Sequence, residues 1–324
     1  MSAARAIGLL LGFAADATFG DPRRGHPVAG FGAVAAAAER RFHRDSRLAG
    51  ALYTGALAGG TVLLGVAAER LTRRHPVLQA AVTAAATWTV LGGASLAAEG
   101  TAMARALEAG QLERARARLP HLCGRDPGRL DTQGLARATV ESVAENTSDA
   151  VVAPLLWGAV AGVPGLLGYR AVNTLDAMVG HLSPRHRNFG WASARLDDLV
   201  NLVPSRVSAL LTAACAPVVG GSAGGAWRTW RRDASAHPSP NAGQVEAAFA
   251  GALGVRLGGR TVYGYGAQER PVLGDGRTPD AGHVTRAVEL SRVVGAVAGV
   301  ASAAAAAGLT LFRAARRRRS AARR

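Results

Sequence analysis

Leu48–Ala68 reads LAGALYTGALAGGTVLLGVAA, and after a short charged turn Val77–Ala98 reads VLQAAVTAAATWTVLGGASLAA. Neither run holds a charge or a proline, and each is close to the ~20 residues that carry a helix across a bilayer. Together they are expected to form a helical hairpin. Ala150–Gly168, Val207–Trp227 and Val293–Phe312 are further charge-free runs of similar length. Ala150–Gly168 contains Pro154 and Pro164, and Val207–Trp227 contains Pro217 followed by Gly220 and Gly221. Proline removes a backbone donor and bends a helix, so these two are expected to be broken or re-entrant. Parity agrees: one full crossing at Ala150–Gly168 would separate the polar motifs on its two sides. The expected fold class is all-α, a multi-pass integral membrane protein with cytoplasmic motif loops. Residues 1–312 would form one helical membrane domain, with polar regions 99–149 and 228–292 inserted and an Arg-rich tail at 313–324.

The composition fits this reading. Apolar residues make up 49% of the chain, aromatics only 5%, and Gly is abundant at 41 residues. Small residues let membrane helices approach closely. The net charge is +16 and every basic side chain other than His is Arg. Phosphate chemistry must therefore use Arg, backbone N–H groups or metal, because no Walker lysine exists. Cys123 and Cys215 are too isolated for a zinc site or a disulfide framework. Arg313, Arg316–Arg319 and the closing Arg323–Arg324 follow an apolar helix, a place that suits anionic lipid rather than nucleic acid. Arginines precede the hairpin (Arg40, Arg41, Arg44, Arg47) and also fill its turn (Arg70, Arg73, Arg74), so charge alone assigns no orientation. The short run Ala6–Ala15 has the look of a signal peptide, but GDPRRGHPVAG (Gly20 to Gly30) follows at once.

Region 99–149 is expected to open with an amphipathic helix through Glu108 and Arg118, followed by a loop around Gly124–Gly128. No alternating apolar pattern predicts a sheet, and no internal repeat is found.

Polar residues inside apolar sequence are costly and usually functional. Glu141, Glu145 and Asp149 in ESVAENTSD recur every four residues and drift slowly around one helix side. A divalent cation would relieve their repulsion; a solvated face pairing with Arg137 is the plain alternative. Asn146 adds a neutral oxygen that Mg²⁺ tolerates. In SARLDDLVNLVPSR, Asp198 and Asn201 share a helix face, and Arg195 can reach phosphate or simply pair with Asp198. Asn173 and Asp176 repeat the spacing, unless Asn173 is a helix cap. HPSPNAGQVE (His237 to Glu246) is a stiff loop opening a helix, with Asn241 placed to cap it. Its backbone N–H groups can meet an anion. GVRLGG (Gly254 to Gly259) is a weak phosphate-loop candidate, and His26 is either catalytic or a structural hydrogen-bond donor. No GxSxG or Cys–His arrangement is present, which favours metal-assisted phosphate chemistry over an acyl-enzyme.

FGDPRRGHPVAGFG, ESVAENTSDAVVAPLLWGAVAGVPGLLGYRAVNTLDAMVGH, FGWASARLDDLVNLVPSR and HPSPNAGQVEAAFAGALGVRLGG occur in that order. Together they resemble the adenosylcobinamide-phosphate synthase family, membrane proteins of cobalamin (vitamin B12) biosynthesis. The resemblance implies that aminopropanol, or its O-phosphate, is joined to the propionate carboxylate of adenosylcobyric acid. The corrinoid is then a substrate, not a cofactor. Amide formation from a carboxylate calls for ATP and Mg²⁺. The residue chemistry would put Mg²⁺–ATP against Glu141, Glu145, Asp149 and Asp198, with Asn173, Arg195, Arg206, His237 and Asn241 binding substrate or nucleotide. Asp176 or Asp197 would take the proton of the attacking amine. Membrane lipid and other cobalamin-pathway enzymes are the expected partners. Two other readings stand beside this one: a Mg²⁺-dependent transferase using a prenyl or other diphosphate through Asp197-Asp198-x-x-Asn201, and a transporter with broken helices.

Overall fold

The computed structural model describes residues 2–22, 25–181, 183–263 and 266–321. In chain order the helices are α1 (Ser2–Phe19), α2 (Pro27–Phe42), α3 (Arg47–Thr72), α4 (Pro76–Val90), α5 (Gly93–Glu108), α6 (Leu112–Arg118), α7 (Thr132–Thr147), α8 (Ala153–Val179), α9 (Trp191–Cys215), α10 (Ala223–Asp233), α11 (Ala242–Leu253) and α12 (Ala281–Ala321). One antiparallel hairpin, β1 (Leu257–Tyr263) and β2 (Gly266–Leu273), precedes α12. Among the described residues five helical segments are long and apolar enough to cross a membrane: Arg47–Thr72, Pro76–Glu108, Thr132–Val179, Trp191–Val219 and Ala281–Leu309. The all-α, multi-pass expectation holds. Arg23 and Arg24, and residues 322–324 of the Arg-rich tail, lie outside the described residues.

The chain groups into two compact units. The first comprises Met1–Gly92, Ala153–Val200 and Ala298–Arg324; the second comprises Gly93–Val152 and Asn201–Val297. Both polar regions, 99–149 and 228–292, fall within the second unit.

In the first unit α1 packs along α4 and α3 along α8. Gly8 and Gly12 lie one helical turn apart on α1, so close to α4 that a Cβ on either would strike Thr83 or Thr87 and the Ala80 or Ala84 carbonyl. This is the small-residue packing expected between membrane helices. The Val77–Ala98 run, expected as a single arm of the hairpin, is divided. α4 ends at Val90, Leu91 is extended, and α5 starts at Gly93. Adjacent glycines at 92 and 93 offer no side chain to hold a helix across the junction.

α8 is broken where its glycines and prolines predicted. Gly162 takes φ 69° and ψ −145°, two residues before Pro164. A break inside an apolar helix frees backbone groups that water cannot reach, and neighbouring side chains must satisfy them. Glu69 Oε1 accepts a hydrogen bond from Val163 N at 3.0 Å, and Arg5 Nη2 pairs with the same oxygen at 3.1 Å. Two charges flanking apolar runs are thus used to cap a helix half.

In the second unit α7 opens on Asp131, whose Oδ1 accepts from Gly134 N at 2.7 Å. Its interior is buried on nearly every side, from Leu135 through Ala144. A π-helical turn, Ser148–Val152, follows it. The helix expected through Glu108 and Arg118 is split into α5 and α6, because Gly110 takes φ 66°. α9 ends at Cys215 in a 3-10 turn, Ala216–Val219, and Gly220 at φ 67° closes the broken run.

The hairpin forms where no alternating apolar pattern pointed to a sheet. Leu257 pairs with Leu273, and a bulge lies between Leu257 and Gly259. Gly258 takes φ 83°, and Pro271 O stands where a Cβ would lie, so only glycine fits there. The strands are short and polar and carry glycines, which removes the alternation by which strands are recognised.

Candidate active site

Segments distant in sequence bring acidic, basic and imidazole groups together in the second unit. Glu141, from the buried middle of α7, is 2% exposed and is paired with Arg125 from the loop before it. Its second oxygen, Oε1, accepts from Gly258 N at 2.6 Å. Both lone-pair faces of this carboxylate are therefore used. Arg137, one turn earlier, donates to Gly258 O at 2.6 Å, so one glycine of the hairpin is held from both sides by α7. The GVRLGG segment consequently gives its Gly258 amide to a carboxylate.

Glu246, from α11, is the second buried acid, at 1% exposure. Its Oε1 lies 4.0 Å from His237 Nε2 and 4.0 Å from Arg270 Nη1. Burial pushes the Glu246 carboxyl well above its ordinary range; the negative charges of Glu141 and Glu145 add to this, while Arg270 and Arg125 oppose it. Burial also lowers the His237 imidazole, against the Ser239 backbone contact that raises it. Both groups are thus driven towards their neutral forms. The native Glu246 keeps a proton that the unfolded chain releases above the ordinary value of 4.5. Stability is therefore lost as pH rises from that value towards the native pKa. Melting curves recorded from about pH 4.5 upward should show a midpoint that falls in the wild type relative to Glu246→Gln, the His237 contribution being common to both proteins. Equal slopes in the two proteins would reject a protonated Glu246.

Glu145 is different. Its side chain is exposed on α7, within electrostatic reach of Arg270, Arg125 and Glu141. Asp149 follows four residues later in the π-helical turn and is half-buried. Asn146 donates to Ser142 O at 2.9 Å. Among the described residues no group of three or more His, Cys, Asp or Glu side chains is set to hold a metal ion.

Arg206 and Asn241 are brought together: Arg206 Nη1 donates to Asn241 Oδ1 at 3.2 Å, and Ser205 Oγ donates to the same oxygen at 3.1 Å. Asn241 is the first residue before α11, but its side chain makes no capping bond. Ser239 supplies that cap, its Oγ accepting from Ala242 N at 3.1 Å. The amide is engaged elsewhere and so is not free to cap.

Asn173, Asp176, Arg195, Asp197 and Asp198 belong to the first unit. Asn173 sits well inside α8 and is not a helix cap; its Nδ2 donates to Asp197 Oδ1 at 3.4 Å. Asp176 lies against the Gly180 backbone at the end of α8. Arg195 and Asp198 form an i, i+3 ion pair at 3.5 Å. His26 accepts from Val28 N at 3.1 Å and caps α2, a structural role as acceptor in this bond rather than the expected donor. Cys123 and Cys215 are both free thiols.

Arg125, Arg270 and Glu246 were not singled out from sequence as site residues. Glu246 had the same mark as Glu141, a carboxylate within an Ala-rich apolar helix. Arg125 and Arg270 sit in polar loop and strand sequence, where an arginine is unremarkable. A cavity of about 390 Å³ adjoins Gly258, with Arg137, Arg256 and Gly259 on its walls.

The sequence model of the CobD/Cbib protein family matches residues 9–291. "Cobalamin biosynthesis protein CobD" of Mycobacterium tuberculosis is 59% identical over 297 residues, 91% of this chain and 94% of that protein. The protein of the same name from Geobacter metallireducens is 45% identical over 269 residues, covering 82% and 85%. That of Rhodobacter capsulatus is 44% identical over 285 residues, covering 86% and 87%. No solved structure matches. The four sequence blocks and these full-length likenesses agree, and the chain belongs to the CobD/Cbib family of cobalamin biosynthesis proteins.

Proposed function

We propose that this chain is the amide-forming ligase of its family, joining aminopropanol or its O-phosphate to the propionate carboxylate of adenosylcobyric acid with consumption of ATP. The observation that supports the reading is the buried Arg125–Glu141 and His237–Glu246–Arg270 cluster, with the exposed Glu145 on the same helix as Glu141. A carboxylate does not react with an amine until one of its oxygens becomes a leaving group. Transfer of a phosphoryl group from ATP does this: the carboxylate oxygen attacks phosphorus and ADP leaves. The amine then attacks the acyl carbon, and phosphate departs with that oxygen.

Arginines serve both steps by balancing phosphate charge in a fixed fork geometry. Arg137 and Arg256, on the walls of the 390 Å³ cavity, are proposed to hold phosphate oxygens. Arg206, held by Asn241, is kept as a further phosphate ligand. Mg²⁺ bound to a nucleotide needs only one or two protein carboxylates. Glu145 and Asp149 fit that need, whereas Glu141 is saturated by Arg125 and Gly258. When bound, the ion would neutralise phosphate charge during transfer. The neutral His237 is suited to accept the amine proton, and Glu246 to orient it. Asp176 and Asp197 are kept as alternative proton acceptors, and Arg195 with Asp198 as a phosphate and metal pair, on their chemistry alone.

Membranes containing the protein, incubated with adenosylcobyric acid, Mg²⁺–ATP and each amine, should yield a corrinoid heavier by the amine minus water. Consumption of a prenyl diphosphate without ATP would instead support the transferase reading.

A further inference from the structure

α10 follows directly on an apolar segment. The span Trp191–Val219 ends four residues before Ala223, and the span Ala281–Leu309 begins close beside that end. Arg286 fixes this: its Nε and Nη2 donate to Val219 O at 3.1 Å and Gly220 O at 2.9 Å. The end of one span and the start of the other therefore lie at one level, and α10 starts there. Val218, the last apolar side chain before it, is exposed.

α10 reads AGGAWRTWRRD and has two unlike faces. Ala226 and Thr229 are buried, and Trp230 Nε1 donates to Gln244 Oε1 at 2.8 Å. The opposite face exposes Trp227, Arg228 and Arg231. Trp227 is 47% exposed, supported edge-on by Trp230 at 5.3 Å between ring centres. Arg232 is neutralised by Asp233 at 2.7 Å and Asp275 at 3.0 Å. Arg228 and Arg231 have no carboxylate partner among the described residues. They border a cavity of about 850 Å³ that Gly251, Gly254 and Gly276 also line. Tryptophan favours the membrane–water boundary, and a short helix with apolar and basic residues lies in that plane.

We propose that α10 is an interfacial helix whose Trp227, Arg228 and Arg231 face binds the phosphate of an anionic lipid headgroup in this cavity. The two uncompensated guanidinium groups match the phosphate, and Trp227 sits beside the glycerol and upper acyl region.

The test uses the full chain purified in a neutral detergent, with short-chain phosphatidylglycerol as the probe. Phosphatidylcholine is the neutral lipid, and inorganic phosphate and ATP are the soluble phosphates. The readout is the part of the tryptophan emission that Trp227→Phe removes, so lipid bound at the Arg-rich tail does not register. Phosphatidylglycerol should shift that emission saturably. Arg228→Gln/Arg231→Gln should bind roughly thirtyfold more weakly, the change that two near-surface cationic contacts supply. Arg228→Lys/Arg231→Lys should retain most of the binding, because charge is kept. In the wild type, binding should also weaken as salt is raised, which tests the proposal even where the Gln variant does not fold. Unchanged affinity in a folded Gln variant, equal response to both lipids, or salt-independent binding would overturn it. A Trp227 response to ATP or inorganic phosphate that displaces the lipid would assign the cavity to soluble phosphate and overturn it as well.

Discussion

Glu145→Gln is expected to lower turnover by roughly 10²–10³-fold, the usual cost of removing one preorganised electrostatic group from a reaction centre. Its thermal midpoint should stay close to wild type. The side chain is exposed and Gln keeps its shape, so the substitution opens no space, and exposed changes of this kind usually cost within about 0.5 kcal/mol. Activity and stability measured on the same purified sample separate the two effects. A carboxylate in an apolar, membrane-length helix is usually there for function. Glu145→Gln with wild-type turnover would remove this residue from the site.

Arg125→Ala should behave in the opposite way. It leaves Glu141 2% exposed and charged, without its guanidinium, and breaking a buried pair from one side typically costs about 3–5 kcal/mol. That is a large share of the stability of an ordinary domain, so little folded protein should be recovered. The partner substitution discriminates. Glu141→Gln in the Arg125→Ala background removes the stranded charge while keeping an acceptor for Gly258 N. It should restore a substantial part of the lost midpoint. No restoration would mean that Arg125 acts through contacts other than Glu141. Activity should stay low in the double variant, since the charge arrangement beside Glu145 and Arg270 is lost.

The membrane segments were readable because hydropathy accumulates over a window: Leu48–Ala68 and Val293–Phe312 need no partner to be recognised. The break at Gly162 was readable for a related reason, since Pro164 and its neighbouring glycines are local signals. What closes that break was not. Glu69 and Arg5 lie 94 and 158 positions from Val163, and nothing in their own sequence marks them as caps.

The site divides in the same way. Glu141, Glu145, His237 and Glu246 stand out, or ought to, as polar groups in apolar or rigid local sequence. Arg125 and Arg270 are identified only by the carboxylates they meet after folding. Spacing also misled. Glu141 and Glu145 share one helix, yet one is buried and paired with Arg125 while the other is open. Asn241 stands at the capping position, but Ser205 and Arg206 claim its oxygen and Ser239 takes over the cap.

The most direct measurement follows the oxygen that must leave. Adenosylcobyric acid labelled with ¹⁸O in its free propionate is incubated with the purified chain, Mg²⁺–ATP and the amine. Inorganic phosphate and corrinoid are then analysed by mass. One ¹⁸O per phosphate, matched one-to-one with amide product and lost together with it in Glu145→Gln, is the predicted result. Amide formed with unlabelled phosphate, or with no ATP consumed, would contradict it.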